Sequence, residues 1–410
     1  MLKRAGRGQD PLGCDATQEG ELAFECPACP HPGCNLPEGW DKASPEIEWL
    51  HTLFIATNAN YRSGLKDKGI CDVELAPGWG SFVEETRFQN HLTNYPNQKE
   101  INTCKSQHDA VLWANSHGKE GWLVSGTGLA QCGHHALVHK NGIGDLQKRE
   151  KYCNMDYIIL LAIISITLLR LVITYDIACQ WSKNFASWMV EYPEHMHVDL
   201  DRVEVRTAVP GFHICAHGAD CQRLFSLGLM LWVANTVGKE VESGWAHMNV
   251  ASPSIQEMGP SNMHESLNDH WGSWNFQKII MFRTLFRKRF KEAFTMRAKH
   301  QELFNKFNVT FKPGTVQKWE AAVRAWDVDE DIANPYEEPV NTMTQRDIRL
   351  QLVKEEEADA SRGILPLHKI SPSTFLSTSL ELEEQQRSIR LLVSFPSVYG
   401  TQRGKVLRVF

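Results

Sequence analysis

The sequence predicts a mixed α/β fold, because strand-like and helix-like segments alternate along the chain. Apolar runs rich in β-branched or aromatic residues predict buried strands at 53–56, 121–131 and 171–176. Segments of helical character lie at 182–192, 239–249 and 262–306. A chain of 410 residues, 42% of them hydrophobic, can bury a sizeable core and form two or three domains.

Composition and charge exclude several classes of protein. The 28 glycines and 18 prolines are too few for a collagen-like or low-complexity chain. The formal net charge of −6 excludes a bulk polycation, so any nucleic-acid surface is expected to be a local basic patch. Eleven cysteines are too sparse for a disulfide scaffold and are odd in number, which indicates a reducing compartment.

One apolar segment has to be weighed as a membrane span. Residues 158–174 carry a single charge, Arg170, over 17 residues, which is at the short limit for crossing a bilayer. A buried helix that leads into a buried strand, with Arg170 near the turn, accounts for the same pattern. We expect this second arrangement and no membrane partner. The basic N-terminus has no apolar run after it, so no secretory signal is expected.

The first 45 residues are loop-like and contain the first candidate metal ligands. Cys26-x2-Cys29 is a hook from which two thiolates can reach one tetrahedral Zn²⁺ ion; Cys34 follows, and Cys14 lies upstream. Because the chain has no second Cys-x2-Cys pair, free cysteines in a proline-rich loop also explain this segment. A histidine pair, His134-His135, lacks spaced partners.

Carboxylates on separate elements suit a phosphoryl-transfer site. The strand at 171–176 ends in Asp176, and a predicted helix 66 residues later carries Glu242. A two-metal site needs such carboxylates to converge on two divalent ions that stabilise the attacking and leaving oxygens. The pattern alone does not distinguish this site from a capping or ion-paired Asp.

Several short motifs follow one another in order between roughly residues 25 and 355. They are CPACPHPGCNLPEGW from Cys26, NANYR from Asn58, GIGDLQK from Gly142, YCNMDY from Tyr152, YDIACQW from Tyr175, the string Pro210, His213, His217 and Cys221, ESGWA from Glu242, and EMGP from Glu257 with Trp274 and Asn275. In this order the motifs resemble the Kyakuja–Dileera–Zisupton (KDZ) transposases of fungal genomes.

The resemblance implies an RNase H-like core, in which a mixed sheet flanked by helices holds an Asp–Asp–Glu metal site that breaks and joins DNA strands. Asp176 matches the Asp of the family's YDIACQW strand, and Glu242 matches the Glu three residues before a helical Trp. The resemblance further implies Mg²⁺ or Mn²⁺ as cofactor, DNA at transposon ends as partner, a possible homo-oligomer, and the nucleus as the location.

This chain departs from the family pattern at the site itself. The family's first strand ends in Asp-Ala-Asn-Phe-Arg, so the first catalytic Asp position holds Asn58. A neutral amide is a weaker ligand for a hard divalent cation than a carboxylate. The family's Asp-Gly-Glu becomes Val237-Gly-Lys239, and its Arg after the Glu becomes Ser243. We therefore expect a degenerate transposase, with rescue by Asp145, Glu150 or Asp156 as a minor alternative.

A second candidate zinc site follows the strand that ends in Asp176. His213, His217 and Cys221 are four residues apart, which on a helix places them along one face, and Cys179 is a candidate fourth ligand. The string recurs in the family, which favours a structural Zn²⁺. Ordinary half-buried histidines and core cysteines are the alternative.

A basic stretch is the candidate nucleic-acid surface. Phe282, Phe286, Phe290 and Phe294 repeat at spacing four and predict an apolar underside on a helix. The basic residues of this stretch, which suit contacts to a phosphate backbone, include Arg283, Arg287, Lys288, Arg289 and Lys291. A solvated face on a core helix explains the same charges.

Together these features predict four regions and two functions. The regions are a cysteine-containing segment at 1–45, the remnant of a cysteine cluster; an RNase H-like core at 46–280 with a helical insertion at about 182–235; a helical basic region at 281–355; and a tail of low order at 356–410. The predicted function is metal-dependent DNA cleavage and strand transfer, impaired at Asn58. The alternative is an inactive DNA- or protein-binding remnant.

Overall fold

The computed structural model describes residues 11–95, 120–147, 151–337, 345–363 and 371–394, apart from positions 12, 14, 15, 165, 234, 235, 237, 239 and 330. The chain divides into two units, Met1–Pro335 and Tyr336–Phe410. Cys14, Glu150, Val237 and Lys239, all named above, lie outside the described residues.

The first unit is built around a five-stranded mixed sheet. The strands of this unit are β1 (Leu53–Asn60), β2 (Leu65–Lys66), β3 (Trp122–Val124), β4 (Gly126–Cys132), β5 (Val138–Leu146), β6 (Arg170–Thr174) and β7 (Glu204–Ala208). The main sheet has the order β5-β4-β1-β6-β7, and β2 pairs with β3 separately. β4 is antiparallel to β1 and β5, whereas β1, β6 and β7 are parallel. The predicted mixed α/β class is confirmed.

Eight α-helices of the described residues belong to this unit. They are α1 (Glu85–Asn94), α2 (Tyr152–Ile163), α3 (Ala178–Glu191), α4 (Ala219–Leu224), α5 (Glu240–Met248), α6 (Ser252–Ile255), α7 (Pro260–Asn308) and α8 (Thr315–Val328). Asp72 caps α7, because its carboxylate accepts from the backbone N–H groups of Ser261 and Asn262 at 3.0 and 2.9 Å. Pro260 suits the first turn, where its missing N–H has no intrahelical partner.

Alternating side chains of β1 supply the two faces of the sheet. Leu53 and Ile55 join the core cluster that includes α2 and α3, whereas Ala56 joins the cluster that includes α5 and the start of α7. The period of two along a strand produces this division. The sheet is therefore the middle layer between helices on both faces.

The apolar segment at 158–174 forms the predicted buried helix and strand. α2 is buried along nearly its whole length, and β6 follows it after a short connection. Arg170 begins β6 and forms ion pairs with Glu48 and Glu204. Among the described residues, every helix is too short or too polar to span a bilayer.

Three predicted regions differ from the structure. The insertion at 182–235 is not purely helical, because it contributes β7, whose Glu204 and Arg206 suit an exposed edge strand. α7 runs without interruption through the boundary predicted after residue 280. The second unit contains α9 (Gln345–Ser361) and α10 (Pro372–Ser394), so these parts of the predicted low-order tail are helical.

Candidate active site

Parallel strands bring Asn58 and Asp176 to one edge of the sheet. β1 and β6 are in parallel register through Ala56 and Thr174. Asn58 and Asp176 each follow two residues later, and Asn58 Nδ2 donates a 3.1 Å hydrogen bond to Asp176 Oδ2. Side chains at the carboxyl ends of parallel strands meet in this way, at the edge where open α/β sheets bind ligands.

Glu242 approaches this edge from α5. Val241 and Trp245 of the helix are buried in the same core cluster as Ala56, which holds α5 against the face of the sheet. Asn60 Nδ2 of β1 donates a 2.9 Å hydrogen bond to Asn249 Oδ1, just past the end of the helix. These contacts leave the Glu242 side chain 42% exposed beside Asp176.

His213 is the fourth member of the group, although its spacing predicted a zinc ligand. Its Nε2 atom lies 3.0 Å from Glu242 Oε1 and 3.5 Å from Asp176 Oδ1. One ligand atom each from Asp176, His213 and Glu242 lies within 4.8 Å of the others. Sequence reasoning missed this contact because it assigned His213 to a helix, whereas the backbone here forms a single 3₁₀ turn, Ile214–Ala216.

Burial and neighbouring charges shift the protonation of this group. Burial raises the pKa of Asp176 to about 6; the charge of Glu242 adds to the rise, while His213 and the Asn58 amide oppose it. The hydrogen bond to Glu242 raises the pKa of His213 above its ordinary value, against the effect of burial. The His213 Nε2 atom thus lies within reach of both carboxylates.

The donor set suits one divalent cation. Two carboxylates and an imidazole are ligands that Mn²⁺ and similar ions accept in proteins. Asp176 Oδ1 is buried and accepts no hydrogen bond from the described residues, with His213 Nε2 3.5 Å away, so it can serve as a ligand atom. Asn58 does not fit the role of a third acidic ligand: its Oδ1 accepts from the Ala59 N–H at 2.7 Å, and its Nδ2 faces Asp176.

Of the carboxylates named as substitutes, the two that the structure describes, Asp145 and Asp156, do not reach this site. Asp156 accepts hydrogen bonds from Trp181 Nε1 at 2.6 Å and Tyr192 Oη at 2.7 Å in the core around α2. Asp145 accepts from His264 Nε2 at 2.8 Å in a second buried cluster. Both residues therefore have structural partners.

The second predicted zinc set is only partly assembled. Cys179 in α3, His217 and Cys221 in α4 lie together, with Cys179 Sγ 3.5 Å from His217 Nδ1. His213 is absent from this set because the backbone between it and His217 is a 3₁₀ turn followed by an extended residue, not a continuous helix. The prediction of one helical face was wrong, but the candidate fourth ligand, Cys179, lies with His217 and Cys221.

The first predicted zinc set is also rearranged. Cys26 and Cys29 are buried with Cys132 and half-buried His135, and one ligand atom from each of the four lies within 4.8 Å of the others. Cys34 is exposed and lies outside this group. The sequence signal for the second hook is the spacing Cys132-x2-His135, which is not a Cys-x2-Cys pair.

The basic stretch lies on the second half of α7. Its predicted cationic residues are all exposed: Arg283, Arg287, Lys288, Arg289 and Lys291. Phe282 is buried against His135, but Phe290 and Phe294 are 66% and 60% exposed. The predicted packed underside was therefore wrong beyond Phe286, because the helix extends past the core at that point.

Comparison with known proteins identifies the family. No curated protein and no solved structure matches the chain. The sequence model of the Kyakuja-Dileera-Zisupton transposases matches residues 51–275, more than half of the 410 residues. This match begins two residues before β1, ends within α7, and contains Asn58, Asp176, His213 and Glu242. The chain belongs to the Kyakuja-Dileera-Zisupton transposase family.

Proposed function

We propose that this chain is a transposon-derived DNA transposase whose strand-cleavage site is impaired at Asn58. The family implies a transposon origin and DNA as the partner. One observation carries the proposal of impairment: the Asn58 amide directs its nitrogen at Asp176 and engages its oxygen with the Ala59 N–H. An acidic residue at this position would direct two anionic oxygens at a shared cation instead.

The sheet supports an RNase H-like core. When the five strands of the main sheet are numbered in chain order (β1, β4, β5, β6 and β7), their spatial order is 3-2-1-4-5. Only the second of these five, β4, runs antiparallel to the others. The proximity of Asn58 on β1, Asp176 after β6 and Glu242 on α5 supports the assignment of these residues, by resemblance, to the Asp–Asp–Glu set.

Asp176, Glu242 and His213 would hold a single Mg²⁺ or Mn²⁺ ion. Such an ion polarises a phosphoryl oxygen and favours deprotonation of the attacking water or hydroxyl. To admit the ion, the contacts of His213 Nε2 with the two carboxylates must open. Because Asn58 is neutral, Asp176 and Glu242 supply less negative charge than two divalent cations require. We therefore expect slow cleavage or none.

The exposed cations of α7 are our proposed DNA contacts. Seven of its residues between 283 and 299 are basic and only Glu292 is acidic, and the five predicted contact residues are solvent-exposed. Positive charges at this density suit a phosphate backbone. The proposed place of action is the nucleus, where the family's substrate resides.

The alternative function is an inactive DNA- or protein-binding remnant. Asn58 favours it, and so does His213, because its Nε2 atom already contacts both carboxylates that a metal would need. Both functions share the fold and the DNA-binding helix, and they differ in metal-dependent cleavage.

Plasmid nicking separates the two. Supercoiled DNA is incubated with Mg²⁺ or Mn²⁺ and with the chain as given, Asn58→Asp, or Asn58→Asp combined with Asp176→Asn. We expect nicking to increase at least tenfold in Asn58→Asp and to disappear in the double variant, which is a matched control because it restores one carboxylate while removing the other.

Two other results would contradict the impaired-enzyme proposal. Equal nicking by the chain as given and by Asn58→Asp would show that Asn58 does not limit cleavage. Absence of nicking in every form, with plasmid binding retained in a gel-shift assay, would establish the binding remnant instead.

A further inference from the structure

Two short hooks from distant parts of the chain meet at one point on the sheet. Cys26 and Cys29 belong to the segment before β1, which forms only turns and 3₁₀ helices among its described residues. Cys132 ends β4, and His135 lies in the turn between β4 and β5. Cys29 and Cys132 are 103 residues apart in sequence, yet their sulfur atoms are 3.2 Å apart.

The four donor atoms are close enough together to share one metal ion, since each lies within 4.8 Å of the others. His135 Nδ1 lies 3.4 Å from both Cys26 Sγ and Cys132 Sγ. Ligands bound to zinc at the usual bond lengths are separated by about 3.5–3.8 Å. Each hook is also a tight turn, in which the Cys29 N–H donates to the Cys26 carbonyl at 3.2 Å and the Ala136 N–H donates to the Cys132 carbonyl at 3.0 Å.

The group is closed to solvent and separate from the carboxylate site. Cys26, Cys29 and Cys132 are 3%, 6% and 0% exposed. They belong to the core cluster of Ile55, on the sheet face opposite to the cluster of Ala56 and α5. The His135 ring is held between the donors and the rings of Phe282 and Phe286 of α7. Four protein ligands with no open position are typical of a structural, not a catalytic, metal.

We propose that Cys26, Cys29, Cys132 and His135 hold a structural Zn²⁺ ion that fastens the N-terminal segment to the β4–β5 turn. Zinc is the metal because three thiolates and one imidazole form a soft, four-ligand donor set. Hydrogen bonds from Asn275 Nδ2 to the Phe24 carbonyl and from Leu22 N–H to the Trp79 carbonyl hold the same segment nearby. The ion thus completes an attachment that these bonds begin.

Zinc content tests the ligand set directly. The full chain is purified after expression with ZnCl₂, and zinc per chain is measured by mass spectrometry of the metal. We expect Cys26→Ser/Cys29→Ser to lose one equivalent relative to the unmodified chain, and the matched control Cys34→Ser to lose none. The difference is the readout because the Cys179 group is a second place where zinc can bind. His135→Cys retains the ion, since it preserves four ligands, whereas His135→Ala binds it more weakly.

A second measurement covers the case in which the double variant fails to fold. The unmodified chain is alkylated with N-ethylmaleimide before and after treatment with a chelator, and labelled peptides are mapped. Labelling of Cys26, Cys29 and Cys132 should rise after chelation, while exposed Cys34 is labelled in both samples. Labelling that chelation does not change, zinc loss in Cys34→Ser, or a Cys29–Cys132 disulfide in place of a metal would overturn the proposal.

Discussion

Two clusters in the first unit combine one histidine with carboxylates, and they differ in access to solvent. His264 and Asp145 are 2% and 4% exposed at the side chain, with Glu74 and Glu85 beside them. In the other cluster, His213 is 16%, Asp176 26% and Glu242 42% exposed. The first cluster is sealed beneath α1, β5 and α7, and the second lies open at the sheet edge.

The difference shows how burial assigns roles to the same chemical groups. Burial alone would lower the pKa of His264, but the charge and hydrogen bond of Asp145 raise it well above its ordinary value. No other cation can reach the buried Asp145 from solvent. A cation can reach Asp176 and Glu242 beside His213, because these carboxylates are partly exposed. The sealed cluster is a structural ion pair, and the open one is the candidate metal site.

The largest expected effect breaks the sealed pair. His264→Gln leaves Asp145 as a buried carboxylate without its cation, and such a loss destabilises a protein by about 3–5 kcal/mol. Urea unfolding of the unmodified chain and the variant measures the change. A loss below that of His213→Gln would contradict the assignment of the sealed cluster as the structural one.

The next effect is a pH dependence of stability in two windows. Burial, aided by the Asp145 charge, raises the pKa of Glu85 to about 7, above the unfolded value of about 4.3. At Glu85 the folded state then binds more protons than the unfolded state, so the contribution of this group to stability falls as pH rises from about 4 to 7. His264 adds a further fall above its unfolded pKa of about 6.5.

Variants separate those windows. Relative to the unmodified chain, Glu85→Gln should remove the fall that Glu85 contributes to the unfolding free energy between pH 4 and 7, and His264→Gln should remove the fall above about pH 6.5. Unfolding free energies measured across this range check both slopes. A stability that rises with pH in the unmodified chain but not in the variants would show that the sign of these shifts is wrong.

A smaller effect on stability is expected at the open cluster. His213→Gln should change the unfolding free energy by less than about 1 kcal/mol, because partly exposed ion pairs contribute little. The same variant should lower the increase in thermal midpoint caused by Mn²⁺, since one of three ligands is lost. An unchanged Mn²⁺ response would remove His213 from the ligand set and leave Asp176 and Glu242.

The smallest effect on stability is expected at a solvent-exposed ion pair. Glu302 and Lys306 form an ion pair one helical turn apart on α7, with side chains 64% and 70% exposed. Glu302→Gln should leave the thermal midpoint unchanged within error, because solvent and salt screen the pair. A measurable fall in the thermal midpoint here would show that the stability lost does not follow burial across the three pairs.

Local sequence predicted the elements that carry strong periodicity or a motif. β1, β6, α5 and α7 are found where apolar patterning placed them, and their packing brings Asn58, Asp176 and Glu242 together. The sealed cluster was not predicted, because Asp145 and His264 lie 119 residues apart and nothing local marks their pairing.

Long-range contacts also explain the misassigned ligands. His213 contacts the carboxylates and lies outside the predicted zinc set, because a 3₁₀ turn, not a helix, follows it. Cys34 has the spacing of a ligand but the exposure of a surface residue, whereas Cys132 is distant in sequence and adjacent in space. Ligand type can be inferred from a sequence, but which ligands share an ion depends on the topology of the sheet.

The second half of α7 extends far beyond the part of the helix that is buried. Its last buried residue is Phe282, and the helix continues to Asn308, which is about 40 Å further at the α-helical rise. One turn of B-form DNA spans about 34 Å. A duplex bound near Asn308 would therefore lie about one turn of DNA away from the last buried residue of this helix.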